Sequence, residues 1–268
     1  MDFTPKPSAE WSANFEAIID RAMQAKQQAE PRRNYIGASR VGEECLRKLG
    51  FEFHGTPKDP DREFSGRTLR IFERGHAGED NMAARLRLAG FHLVTHKPDG
   101  RQIGFATAWS DEAQAFQFSG HLDGVISAAP YESGVVCPAL WECKVLGDKG
   151  FKEVFRLGVR AAKPVYFAQM QLYMAYLDLA ANPALFTAEN ANTGEIYAER
   201  VPFDAAAAQA ASDKGVKVVQ SRDPFDLPRV AKAATDYRCK MCDYPGSCWA
   251  AETVAPAPAA PAGWTFGK

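Results

Sequence analysis

The chain has 268 residues, 46% of them hydrophobic and 24% charged, ordinary globular values that allow a sizeable core in one large domain or two small ones. The formal net charge is −1, which excludes a global basic field for a polyanion, so a nucleic-acid site would have to be a local basic patch. No apolar run approaches the roughly 18–20 residues that span a bilayer, and MDFTPKPSAEW lacks a basic segment followed by an apolar one. The expectation is a chain without a membrane partner in a reducing cytoplasm, where six cysteines serve as thiols or metal ligands rather than disulfides.

Ser8 to about Glu30 reads as a helix. Ser8 caps it, Trp11, Phe15, Ile18, Ile19 and Ala22 form an apolar stripe, and Pro31 stops it. Residues 1–34 are thus expected to be an N-terminal helical segment ahead of a main domain over 35–250. A second helix runs from about Gly66 to Ala89, with Leu69, Phe72, His76, Ala83 and Leu86 at helical spacing and Gly90 as its stop. FHLVTH (91–96), QAFQFSGHLDGVISAA (114–129) and ALWECKVLG (139–147) are strand-like, the last two separated by a Pro/Gly/Ser-bearing turn. Helical pattern resumes through PVYFAQMQLYMAYLDLA (164–180). FTAEN and TGEIYAERVPF read as a hairpin turning near Thr193-Gly194, and residues 205–220 favour helix. The Ala/Pro-rich end, 251–268, is expected to be disordered, with GWTFGK as a docking peptide or a plain terminus. No internal repeat is present. The order of elements predicts an α+β fold with a central mixed sheet flanked by helices.

Two charges interrupt the apolar strand PALWECKVLG (138–147). Side chains alternate along a strand, so Glu142 and Lys144 share one face while Trp141, Cys143 and Val145 share the other. Glu-x-Lys alone is expected about once by chance in a chain of this length. Upstream, FSGHLDGVI places Asp123 in another apolar stretch. A carboxylate there is costly unless it is paired or binds a cation. If the two strands are neighbours, Asp123 and Glu142 repel one another, and a divalent ion relieves that repulsion with Lys144 beside it. Oxygen ligands suit magnesium or manganese, and the set suits phosphodiester hydrolysis.

Asp123 followed by Glu142-x-Lys144 resembles the core motif of the PD-(D/E)xK nuclease superfamily, with Leu122 where the motif name has Pro. Gly75-x3-Glu79 in FERGHAGEDNM resembles the early helix motif of the lambda-exonuclease-like branch, and Gln169-x3-Tyr173 in YFAQMQLYMAY resembles the Q-x3-Y motif of RecB-like nucleases. Gln171 competes for the Gln role, but no Tyr follows it four residues later. The resemblance implies a restriction-endonuclease-like core. It implies Glu79, Asp123 and Glu142 as ligands of Mg2+ or Mn2+, and Lys144 as catalytic base or water-positioning group. Gln169 and Tyr173 would support it, with Gln169 holding the lysine or the DNA. His76 would line the site, and His121 reads as a core or supporting histidine.

YRCKMCDYPGSCW (237–249) carries Cys239-x2-Cys242-x5-Cys248, with Pro245-Gly246 as the turn that returns the third thiolate. A tetrahedral ion or a cubane needs a fourth ligand, and Cys45 is the best candidate. Spacing alone favours zinc. One distant N-terminal Cys and a C-terminal triplet bracketing nuclease motifs resemble the iron–sulfur nucleases: CRISPR-associated RecB-like exonucleases, the AddB nuclease domain and phage relatives. That resemblance implies a [4Fe-4S] cluster on Cys45, Cys239, Cys242 and Cys248 joining the N- and C-terminal segments, with structural Zn2+ as the alternative. Cys137 and Cys143 read as ordinary thiols.

Basic residues for phosphate contact lie in two groups: Arg40, Arg47 and Lys48, then Lys149, Lys152, Arg156, Arg160 and Lys163 on a helix or lid. No P-loop is present, so no ATPase motor is expected. The resemblance implies a deoxyribonuclease, an exonuclease on single-stranded or end-bearing DNA. The alternatives are a structure-specific endonuclease or a non-catalytic DNA- or partner-binding protein. A recombination or helicase partner, and a bacterial or phage-encoded setting, belong to the same expectation.

Overall fold

The computed structural model describes residues 8–31, 33 and 35–250. The expectations for residues 251–268 lie outside the described residues. Helix α1 (Ala9–Ala29) starts where expected, the Ser8 hydroxyl accepting from the Trp11 N–H at 3.2 Å. Its apolar stripe, however, is not the docking face, and the helix has no buried residue. It packs through its polar side instead. Glu16 accepts from Arg70 at 2.6 Å, Asp20 pairs with Arg70, and the Gln24 amide donates to the Phe64 carbonyl at 3.0 Å. The partner helix comes so close that a Cβ on Gly66 would lie 2.4 Å from the Asp20 Cα.

After β1 (Ile36–Gly37) come α2 (Leu46–Phe53) and α3 (Gly66–Leu88), the latter capped by the Ser65 hydroxyl at 3.1 Å from the Thr68 N–H. Strands β2 (His92–Val94), β3 (Gly104–Ser110), β4 (Ala115–His121), β5 (Gly124–Ala128) and β6 (Ala139–Leu146) follow. Next are α4 (Asp148–Ala162), α5 (Pro164–Tyr176), the β7 (Ala184–Asn190) and β8 (Ile196–Val201) hairpin, and α6 (Ala205–Val219). Short helices α7 (Tyr237–Lys240) and α8 (Pro245–Ala250) close the described chain. Among the described residues no helix is long and apolar enough to cross a membrane.

The class is α+β, with mixed sheets flanked by helices. The larger sheet has the order β2-β5-β6-β7-β8, with only β6 and β7 parallel. A second mixed sheet, β1-β4-β3, was not anticipated. Residues 114–129 therefore form two strands rather than one. β4 belongs to the small sheet and β5 to the large one, and Leu122-Asp123 is the corner between them. Leu122 anchors the corner, being 1% exposed with its N–H on the Ile103 carbonyl at 3.0 Å.

The large sheet is covered on both faces. Trp141 and Cys143 of β6 pack with Met82 and Ala83 of α3. Gly78 permits that approach, since a Cβ there would meet Val145 Cγ2 at 2.3 Å. Leu140 and Leu146 belong to the larger core with Phe151, Val154, Met170 and Met174 of α4 and α5. α4 is broken at Gly158, whose φ of 74° is the left-handed region that glycine adopts without strain. The N–H freed there, that of Val159, donates to Glu199 at 2.7 Å.

Candidate functional site

β5 pairs with β6 from Gly124, opposite Trp141, so β6 runs past the end of its neighbour. The Cys143 N–H on that open edge donates to Asp123 Oδ2 at 2.7 Å. The corner that splits 114–129 thus delivers a carboxylate to the strand carrying Glu142 and Lys144. Lys144 Nζ donates to Glu142 Oε1 and to the Cys143 carbonyl, the latter at 2.9 Å, and stands 3.7 Å from Asp123 Oδ2. The Glu142 side chain is 0% exposed, and its second oxygen, Oε2, is buried without any hydrogen-bond partner.

Glu79, on α3, shares a cavity of about 210 Å³ with Asp123, His76, Asp80, Arg87 and His96. Burial, and then the charge of Asp123, push the Glu79 carboxyl up to about 7, against the pull of Lys144. Burial, and then Asp123, also raise the Glu142 carboxyl. Burial would discharge Lys144, yet Glu142 and Asp123 hold its ammonium above the ordinary lysine value. The four sequence-predicted groups therefore form one electrostatically coupled set. Among the described residues, no three His, Cys, Asp or Glu side chains stand ready to hold one metal ion. At this site Lys144 occupies one oxygen of Glu142.

Gln169 and Tyr173 meet on one face of α5, the Gln169 amide donating to the Tyr173 hydroxyl at 3.2 Å. Tyr173 in turn donates to the His121 carbonyl at 2.6 Å. The pair thus clamps the end of β4, two residues before Asp123, and the aromatic beside Lys144 is Tyr166, its centroid 5.4 Å from Nζ. Gln171 does a different job, its side chain accepting from the Asp204 N–H at 2.7 Å and so tying α5 to the start of α6. Tyr173→Phe is expected to lower stability by about 1–3 kcal/mol, because a buried hydrogen bond is lost. Urea denaturation checks this; an unchanged midpoint would remove the clamp.

Arg87 and His96 were missed from the sequence. Arg87 donates to the Leu93 carbonyl at 3.2 Å and to the Thr95 hydroxyl at 3.1 Å, and His96 Nδ1 lies 3.0 Å from that hydroxyl. Neither has a spacing signal, since the cavity wall arises from the packing of α3 on β2.

The basic groups fare unevenly. Arg40 is bidentate on Glu52 at 2.6 and 2.9 Å, Lys48 pairs with Glu43 at 2.7 Å, and Arg47 donates to the Leu227 carbonyl at 2.8 Å. Arg40 and Lys48 are thus held by nearby glutamates, and Arg47 ties the N-terminal segment to the C-terminal one, so the three do not form a free patch. Lys152, Arg160 and Lys163 pair with Asp148, Asp204 and Glu153 at 2.8, 2.9 and 2.7 Å. Among the described residues, Lys149 and Arg156 have no carboxylate within ion-pair distance.

Cys45 precedes α2, and Cys239, Cys242 and Cys248 lie on or beside α7 and α8. All four line one cavity of about 280 Å³, with Lys48 and Trp249. Phe51 of α2 stacks on Tyr244 at 5.1 Å, and Asp59 accepts from the Ser247 N–H at 3.2 Å, so both ends of the domain meet here. Burial raises the Cys242 and Cys248 thiols. Cys143 is a core thiol, pushed up to about 12 by burial.

No protein family matches the sequence, and neither does any curated protein. Among solved structures, that of SSO0001 is similar over 91% of this chain and 96% of its own, at 12% identity and a TM-score of 0.45. An alkaline exonuclease from Laribacter hongkongensis (LHK-Exo) is similar over 74% of this chain and 90% of its own, at 17% identity and 0.42. LHK-Exo in complex with dAMP gives 70% and 87%, at 18% identity and 0.43. Scores at this level carry no inference, so function rests on the site's own residues.

Proposed function

We propose that this chain is a metal-dependent nuclease that hydrolyses DNA at the set formed by Glu79, Asp123, Glu142 and Lys144. The observation that carries the reading is Glu142 Oε2, a buried carboxylate oxygen with no donor, beside a second carboxylate and an ammonium. Leaving such an oxygen unsatisfied is costly, so a native protein supplies it with a water, an ion or a catalytic role, and the carboxylate and ammonium beside it favour the ion. The donors are all hard oxygens, which fits Mg2+ or Mn2+, held by Asp123 and Glu142 with Glu79 from across the cavity. When bound, such an ion supplies Lewis-acid stabilisation of phosphoryl charge and a more acidic water.

The chain's own residues do the rest. Lys144, once it leaves Glu142 Oε1, presents an ammonium that orients the attacking water or donates to a non-bridging phosphate oxygen. Asp123 keeps Oδ2 on the Cys143 N–H, so its position is set by β6. Tyr173 and Gln169 hold the corner that carries it. Lys149 and Arg156 remain available for phosphates. The motif order, through its resemblance to RecB-like and lambda-type nucleases, favours an exonuclease acting on single strands or duplex ends.

The test uses single-stranded, blunt linear and circular DNA with Mg2+ or Mn2+. Linear forms should be degraded, circles spared, and Asp123→Ala should abolish the activity. If every form survives with both ions, the nuclease reading fails; cleavage of circles would replace exonuclease with endonuclease.

A [4Fe-4S] cluster is proposed for the cavity of Cys45, Cys239, Cys242 and Cys248. Four thiolates suit a zinc ion or a cubane alike; the four cysteines line one cavity, and the preference for the cluster comes from the resemblance to iron–sulfur nucleases. Protein purified without oxygen should be brown, with a broad visible absorption that is lost in Cys242→Ser. A colourless protein containing one zinc per chain would overturn the cluster.

A further inference from the structure

α1 rests on α3 with its charged side and turns an apolar side outward. Trp11, Phe15 and Ile18 are 68%, 52% and 58% exposed, and the two aromatic rings stack at 5.5 Å. Exposed singly, such residues need no account; aligned along one helix they form a patch that calls for a partner.

The stripe continues at steps of four and three residues. Positions 11, 15, 18, 22, 25 and 29 lie on one seam and are all exposed, and they read Trp, Phe, Ile, Ala, Ala, Ala. This spacing is the one at which two helices pack side by side, knobs into holes. Bulk is confined to the first half of the seam and small side chains to the second. An antiparallel copy, turned about an axis level with residue 20, sets Trp11 opposite Ala29, Phe15 opposite Ala25 and Ile18 opposite Ala22. Each large side chain then meets a small one. The pairing also repeats itself under the twofold, as an isologous contact requires. A parallel copy would instead crowd ring against ring and leave alanine facing alanine.

We propose that α1 is the surface through which two copies of this chain associate, antiparallel across a twofold axis. The 21-residue helix offers a seam about 32 Å long. Its two aromatic rings and two isoleucines, counting Ile19, would bury on the order of 500 Å² a side, near the lower bound for a specific interface. Association is therefore concentration-dependent rather than permanent. It is independent of the nuclease reading.

Sedimentation equilibrium of the full chain tests this. The apparent mass should rise from 29.4 kDa toward twice that value across low to high micromolar concentration. Phe15→Asp with Ile18→Asp should abolish the dimer. Ile18→Lys alone and Ala22→Glu alone should each weaken it at least about tenfold. Together they should restore it, since each new ammonium would face the other copy's new carboxylate. All these positions are exposed, so thermal melts of the variants should keep the cooperative transition of the wild type, which guards against misfolding as the cause. A monomer at every concentration, or a dimer indifferent to the aspartates, overturns the proposal. So does a double variant that fails to recover, or association that appears only after residues 251–268 are removed.

Discussion

Lys144→Ala should lower the rate of DNA hydrolysis by about 10²–10⁴-fold, the range for losing a positioned donor or proton-transfer group. Its effect on stability is the more discriminating readout. Lys144 is the ammonium that partners Glu142, whose side chain is fully buried. Removing one member of a buried pair is costly chiefly because it leaves the other charged. Glu142 has an escape, because burial and Asp123 already raise its carboxyl, and without Lys144 it rises further and takes up a proton. A carboxyl whose folded pKa lies above its unfolded value favours the folded state below the unfolded pKa. That contribution is lost as pH rises through the folded value. The variant should therefore be only modestly less stable than wild type near pH 6. The gap should widen toward pH 9, by at most about 1.4 kcal/mol per pH unit for one such group. Urea denaturation of the metal-free proteins across that range reads it. A gap that does not change with pH would mean that Lys144 is not the counterion of Glu142.

The second large effect is that of divalent ions on the wild type. Glu79 titrates near 7, well above an ordinary glutamate, because burial and Asp123 disfavour its charge. By the same sign rule, the metal-free protein should lose stability as pH rises from about 5 to 8, on the order of 1–3 kcal/mol after allowance for solvent screening of a half-buried group. Mg2+ or Mn2+ should reverse the loss, since an ion binds the ionised carboxylates and stabilises the folded state by mass action. The gain in melting temperature should thus be larger at pH 8 than at pH 6, and should vanish in Asp123→Ala. Equal gains at both pH values, or gains that persist in Asp123→Ala, would place the ions elsewhere.

These consequences converge on residues that were legible before any fold was known. Glu142 and Lys144 stood out because period-two alternation puts both on one face of an apolar strand. Gln169 and Tyr173 stood out through the resemblance to the Q-x3-Y motif, and helical spacing puts the two on one face. The cap at Ser8, and the hairpin turning near Gly194, were readable for the same reason: each depends on neighbours a few residues away. The division of residues 114–129 between two sheets was not readable. Alternation continues through Leu122-Asp123, and only the partners across the strand, Ile103 on one side and Trp141 on the other, break it. Nor was the orientation of α1. Its stripe is as regular as that of a core helix, but Gly66 and Arg70, some fifty residues away, draw in the charged side instead. Arg40, Arg47 and Lys48 looked like a phosphate patch until Glu52 and Glu43 neutralised Arg40 and Lys48 and the Leu227 carbonyl accepted from Arg47. Cys45 reaches the cavity of Cys239, Cys242 and Cys248 only because α2 packs on Tyr244. Local period and spacing are properties of the chain and survive without the fold. Which face is buried, and which charge is neutralised, depend on groups distant in sequence, and folding alone brings them together.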